Sequence, residues 1–149
     1  MNKFTIYFVV LFLCFLTVIE TKSQTRKSVS GAEVTGTFRD VSGSEFKILA
    51  LGRGKLRVGF SGVYNFKTKN GEPMANVGEA RGKADISGDT AIFKPEETEQ
   101  CTMILRFLPN RRLKVTQKGV DAECGFGVNV SADGNYKKIS RAKPKFTEP

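Results

Sequence analysis

The sequence predicts an all-β fold: a small antiparallel up-and-down barrel of about eight strands, with one disulfide, behind an N-terminal signal helix. Three observations carry this. Apolar and polar residues alternate with period two through most of the chain after residue 33. Fifteen glycines, several beside Asn or Asp, punctuate those runs at short intervals, as tight turns require. No amphipathic stretch is long enough for a helix outside the first two dozen residues. Sequence neighbours joined by such short turns pair antiparallel, and a meander of this length keeps two exposed edges unless it closes, which favours a barrel over the alternative, a sandwich.

The first element lies outside the fold. Lys3 gives a positive start, Phe4 to Ile19 is an apolar run of about sixteen residues, and small residues Thr21 and Ser23 precede a plausible cut. This order is that of a secretory signal, residues 1–23. A retained anchor is opposed by length, because a spanning helix needs roughly 20 apolar residues. Cys14 follows Leu13, where a lipid-modified cysteine wants a small neighbour. Residues 24–33 are polar and read as a flexible N-terminus.

Residues 34–139 form the barrel domain. Val34 to Arg39 is the first strand. Phe46, Ile48 and Ala50 share one face of the second, and Leu56, Val58 and Phe60 one face of the third, which runs on past Gly59 and Gly62 to Phe66. Lys67 to Asn76 reads as a polar loop. Ala80, Gly82, Ala84 and Ile86 then line a strand whose small side chains suit a close approach. Ser87-Gly88-Asp89 turns the chain into Thr90 to Lys94. Met103, Leu105 and Phe107 share a face with Cys101, and Leu113 with Val115. Phe126, Val128 and Val130 alternate like another strand after Cys124, and Tyr136 to Ile139 ends the system. Residues 140–149 read as a basic flexible tail.

Cleavage after Ser23 leaves 22 basic and 14 acidic residues, a net charge of +8. The two remaining cysteines, Cys101 and Cys124, are expected to pair in an oxidising compartment. The chain has no histidine. That removes the commonest general base, the Ser-His and Cys-His nucleophile pairs, and most zinc sites. Asp85, Asp89, Asp121 and Glu123 could serve glycoside hydrolysis only as a close pair, and their spacing specifies none. Glu96, Glu97 and Glu99 lack the alternating ligands of a calcium loop. The expectation is a protein with no catalytic residues, no metal and no cofactor. Asn129-Val130-Ser131 matches a glycosylation sequon but falls within an expected strand.

From Gly78 to Lys138 the chain carries Ser87-Gly88-Asp89-Thr90-Ala91, Cys101-Thr102-Met103-Ile104-Leu105-Arg106-Phe107, Leu113-Lys114-Val115-Thr116-Gln117, Cys124-Gly125-Phe126-Gly127 and Gly134-Asn135-Tyr136. This stretch, about half the mature chain, resembles a small exported bacterial β-barrel module found with lysozyme-inhibitor (LprI-like) proteins. Other lysozyme inhibitors of small-barrel type present Ser-Gly-x-x-Tyr, and Ser61-Gly62-Val63-Tyr64 is one residue shorter. The four-cysteine helical domain of the LprI-like proteins is absent. Gly36-Thr37-Phe38 through Phe46 is similar to the opening hairpin of avidin-like barrels, without the tryptophans of their biotin pocket. The resemblance implies a β-barrel, and an inhibitory role as its sharpest functional reading.

Two candidate surfaces follow. Ser61, Gly62, Tyr64, Lys67 and Lys69 would form a binding loop, with Ser61 and Tyr64 donating to carboxylates in a lysozyme cleft. The net charge of +8 opposes encounter with a basic lysozyme. Arg106, Arg111, Arg112, Lys114, Lys137 and Lys138 would form a basic face attracting anionic polymers of the cell envelope. Nucleic acid is disfavoured, because export removes the chain from it and no aromatics interleave with the charges. The expected protein is a secreted or periplasmic monomer with no membrane-spanning segment after cleavage. Its partner is a protein or an anionic polymer; the alternative is a barrel carrying a small ligand or an envelope-associated structural domain.

Overall fold

A computed structural model describes residues 28–146. The expected signal peptide, residues 24–27 and the last three residues of the tail lie outside that range. Eight strands follow in chain order: β1 (Gly36–Arg39), β2 (Glu45–Gly52), β3 (Lys55–Lys67), β4 (Pro73–Ser87), β5 (Thr90–Phe93), β6 (Thr102–Leu108), β7 (Arg112–Lys118) and β8 (Gly134–Ser140). Each pairs antiparallel with the next, and β8 returns to β1, so the sheet is a closed barrel. The seam pairs Thr37 with Ser140 and Arg39 with Lys137 across a bulge.

The alternation places one set of side chains inside. Phe38, Phe46, Phe93, Phe107 and Tyr136 fill the barrel with Ile48, Leu56, Val58, Met103, Leu105 and Leu113, all buried. The small residues of β4 answer large ones on β3: Ala80 opposes Phe60, Gly82 opposes Val58 and Ala84 opposes Leu56. This pairing lets a narrow barrel reach interior density without strain.

Both ends are plugged. At one end, the cap end, one helical turn, α1 (Gly31–Val34), lies across the opening. Ser30 and Glu33 form a reciprocal capping box, and Val34 is buried. Val29 donates its N–H to the Gly88 carbonyl at 3.1 Å. Residues 28–33 of the expected N-terminal segment thus include this capped turn, with Val34 as its apolar stopper. At the other end, the loop 119–133 folds inward and buries Cys124, Phe126, Val130 and Ala132. The Cys101–Cys124 disulfide ties this loop to the one between β5 and β6. The strand expected after Cys124 is thus a plug rather than a wall, and the eighth strand starts at Gly134.

Two further corrections concern boundaries. The expected loop from Lys67 to Asn76 shrinks to residues 68–72, because β3 and β4 pair through Lys67 and Pro73 into a two-stranded ribbon. The basic tail is not free along its length: Ser140 ends β8, and the Phe146 ring lies 4.6 Å from the Arg57 guanidinium, above Gly59.

Candidate functional site

The meander sorts its connections between two ends. Turns β2–β3, β4–β5 and β6–β7 lie at the cap end. The loops 40–44, 68–72, 94–101 and 119–133 gather at the ribbon end. These four loops hold eight acidic residues against two basic ones, a net charge of −6; the rest of the described chain holds eighteen basic against five acidic. Among the described residues the acidic side chains thus concentrate in the four loops of one end, although the sequence reads simply as basic.

The ribbon end is also where apolar side chains face outward. Tyr64 and Met74 on the ribbon, Val77 below it, Val120 and Val128 in the plug loop and Val41 in the first loop are all exposed, Val77 by 66% and Val128 by 72%. The Asn76 side chain donates to the Val128 carbonyl at 2.7 Å, and Gly127 donates its N–H to the Val77 carbonyl at 3.1 Å. Tyr64 pairs with Asn76 across the ribbon and stacks with Phe66 at 6.3 Å. Tyr64, Met74 and Val128 are thus held by a backbone that is itself hydrogen-bonded. Close approach requires glycine here: a Cβ on Gly78 would meet the Phe126 ring at 2.7 Å.

A buried polar side chain fixes the plug loop. Gln117 accepts from the Ala132 N–H at 2.8 Å and from the Ser131 hydroxyl at 3.4 Å. Its amide donates to the Gly119 carbonyl and to Asp121. The Tyr136 hydroxyl donates to the Ala132 carbonyl at 2.9 Å, and burial pushes its pKa well above the ordinary tyrosine value.

The expected binding loop is not a loop. Ser61, Gly62 and Tyr64 belong to β3, where successive side chains alternate sides. Ser61 stands between Glu45 and Glu79 on the outer wall, whereas Tyr64 lies on the opposite face of the strand. They cannot donate to one carboxylate. Gly62 is buried, Lys67 ends the strand and Lys69 lies at the exposed tip.

The basic face assembles with one exception. Arg106 opposes Lys114 across β6 and β7, Arg112 opposes Lys137 across β7 and β8, and Lys137 opposes Arg39 across the seam. Like charges directly opposite destabilise a sheet. Arg106 is offset by Asp89 at 3.5 Å and Arg39 by Glu45. Arg106 also helps lower the Asp89 pKa, after the Thr90 hydroxyl that bonds the same carboxylate. Among the described residues no ion pair engages Arg111, Arg112, Lys114, Lys137 or Arg141. Asn110 and Arg111 both hold positive φ, 61° and 58°. They lie in the three-residue turn 109–111, and the left-handed backbone there favours glycine, so an arginine costs about 1 kcal/mol.

Lys138 is the exception. It is buried beneath α1, with its ammonium donating to the carbonyls of Ala32 at 3.3 Å, of Thr35 at 2.9 Å and of Glu33. It lies 4.9 Å from the Phe38 ring centre. Burial lowers its pKa, with help from Arg141 and Arg111. It is a structural clamp on the helical turn rather than a surface charge.

The carboxylates considered for catalysis are dispersed. Asp85 pairs with Lys55, Asp121 accepts from Gln117 and Glu123 accepts from the Val120 N–H at 2.9 Å. Among the described residues, no group of three or more His, Cys, Asp or Glu could hold a metal ion. The structure defines the class, a closed eight-stranded up-and-down β-barrel with plugged ends and one disulfide. The chain matches no protein-family model, no curated protein and no solved structure.

Proposed function

We propose that this chain is an exported, non-enzymatic binding protein of the cell envelope whose ribbon end docks a cationic protein. One observation carries the reading: the end that exposes Tyr64, Met74 and Val128 is the end whose four loops sum to −6. Exposed aromatic and Met side chains on a rigid frame are what protein interfaces use as anchors. Acidic loops around them would steer a basic partner.

A basic lysozyme is the first candidate, on the sequence resemblance. The objection from net charge weakens once charge is mapped. Cations at the cap end lie on the order of 20 Å from the ribbon tip, beyond the screening length of about 8 Å at physiological salt. With the strand-end residues Arg39, Glu45, Lys67 and Lys118 added to the four loops, the docking end still sums to −4, its carboxylates lying in the loops around Lys67 and Lys69 of the ribbon tip. The test is lysozyme activity with excess oxidised protein from Gln24 onward, using several lysozymes of different charge. Saturable inhibition of a basic lysozyme, abolished by Tyr64→Ser with Val128→Ser, supports the reading. Equal activity with and without the protein for every lysozyme contradicts the inhibitory form of it.

A further inference from the structure

Two clefts lie side by side on the basic wall. One, of about 460 Å³, has a floor of Phe107 and Leu108 and is rimmed by Arg111, Arg112 and Arg141. The other, of about 530 Å³, places Arg39, Arg112 and Lys137 around Val41 and Ile139. Each cleft also has one carboxylate in its lining, Glu33 in the first and Asp40 in the second, so cations outnumber acids in both. Each lies in the size range of ligand pockets. Asn110 and Arg112 line both, so they form the ridge between two halves of one track.

We propose that this track binds a flexible polymer bearing repeated phosphate groups on a non-aromatic backbone, with one phosphate in each cleft and Arg112 shared between them. Three features point there. Four cations, Arg111, Arg112, Lys137 and Arg141, make no ion pair among the described residues. Arg112 and Lys137 are held directly opposite each other, an arrangement an anion would relieve. Arg111 occupies a left-handed turn position that glycine would fill without strain, and strain of this kind gathers at ligand sites. The apolar lining exposed beside these cations is Val41 and Ile139; the aromatics that reach the clefts, Phe38, Phe107 and Tyr136, are buried in the barrel, and none stands on the outer faces of β6, β7 and β8 for base stacking.

The test is calorimetric binding of orthophosphate, triphosphate, long-chain polyphosphate and single-stranded DNA to the oxidised protein. Polyphosphate should bind at least about 100-fold more tightly than orthophosphate, because the second cleft is filled intramolecularly. With four cations engaged, its affinity should fall roughly 50-fold between 50 and 200 mM salt. Arg112→Gln should weaken polyphosphate more than Arg141→Gln or Lys137→Gln does, since it serves both clefts. Arg111→Gly should weaken binding while raising the melting temperature, which a purely structural arginine would not do. Lys83→Gln, on the β4 wall, should change nothing. Absence of polyphosphate binding, equal affinity for orthophosphate and polyphosphate, an equal loss in Lys83→Gln and Arg112→Gln, or DNA binding as tight as polyphosphate would each overturn the proposal. None of these outcomes bears on the ribbon end, whose partner is tested separately.

Discussion

Replacing Lys138 by methionine tests the clamp. The substitution keeps the stem that lies along Phe38 and removes the ammonium, so the carbonyls of Ala32, Glu33 and Thr35 lose their donor. Left dry, three carbonyls would cost about 1–3 kcal/mol each. The turn has an escape: α1 can lift away and let water in. That route costs the burial of Val34, about 2 kcal/mol, with a smaller loss from half-buried Val29. The cheaper route wins, and removing a desolvated charge returns part of the loss. The expected net cost is about 2–3 kcal/mol, or roughly 10 °C in melting temperature for a domain of this size. Urea denaturation gives the free energy, and hydrogen exchange at the amides of Val34 and Thr35 reports the turn directly. A change below about 0.5 kcal/mol, with those amides still protected, would refute the clamp.

Further outcomes follow from the same interior. Replacing Cys101 and Cys124 together by alanine opens a loop spanning 23 residues and should cost about 3 kcal/mol, read as a drop of roughly 12 °C in a thermal melt. Tyr136→Phe strands the Ala132 carbonyl and should cost about 1–2 kcal/mol near neutral pH. Because the folded pKa of Tyr136 is raised, its stabilisation is complete below its ordinary value of 10.0 and is lost as pH climbs above it. The phenylalanine variant should therefore lose less stability than the parent between about pH 10 and 11; equal slopes would be the contrary result. Gly78→Val drives a side chain into Phe126, and overpacking of this kind costs about 1–3 kcal/mol. Exchange at Gly127 should rise with it, and an unchanged Gly127 amide would show that the ribbon does not hold the plug.

The barrel was legible in the sequence because its core obeys one local rule. Phe46 and Ile48, Leu56, Val58 and Phe60, Met103, Leu105 and Phe107, and Leu113 and Val115 all sit inside at period two. The plug broke that rule. Phe126, Val128 and Val130 alternate like a strand, but their segment is held by a disulfide and by Gln117, partners that local pattern does not reveal. Lys138 shares the parity of Tyr136, so strict alternation would have placed it inside; its charge argued for the surface instead. Arg39 joins the basic face only through the closing seam. The acidic end was hidden for a topological reason. Its carboxylates lie in four separate loops, and only a closed meander collects them; summing charge over alternate connections would have exposed it. The Ser61–Tyr64 loop failed because strand pairing continued beyond the barrel wall.

The most direct test of the account is the affinity of the oxidised protein for a basic lysozyme at physiological salt, measured for the parent, for Tyr64→Ser with Val128→Ser, and for Arg112→Gln. The account predicts binding by the parent, a loss of at least tenfold in the ribbon-end variant, as truncating interface anchors costs more than about 1.4 kcal/mol, and no loss in Arg112→Gln. Absence of binding by the parent, or a loss in Arg112→Gln with none in the ribbon-end variant, would contradict it.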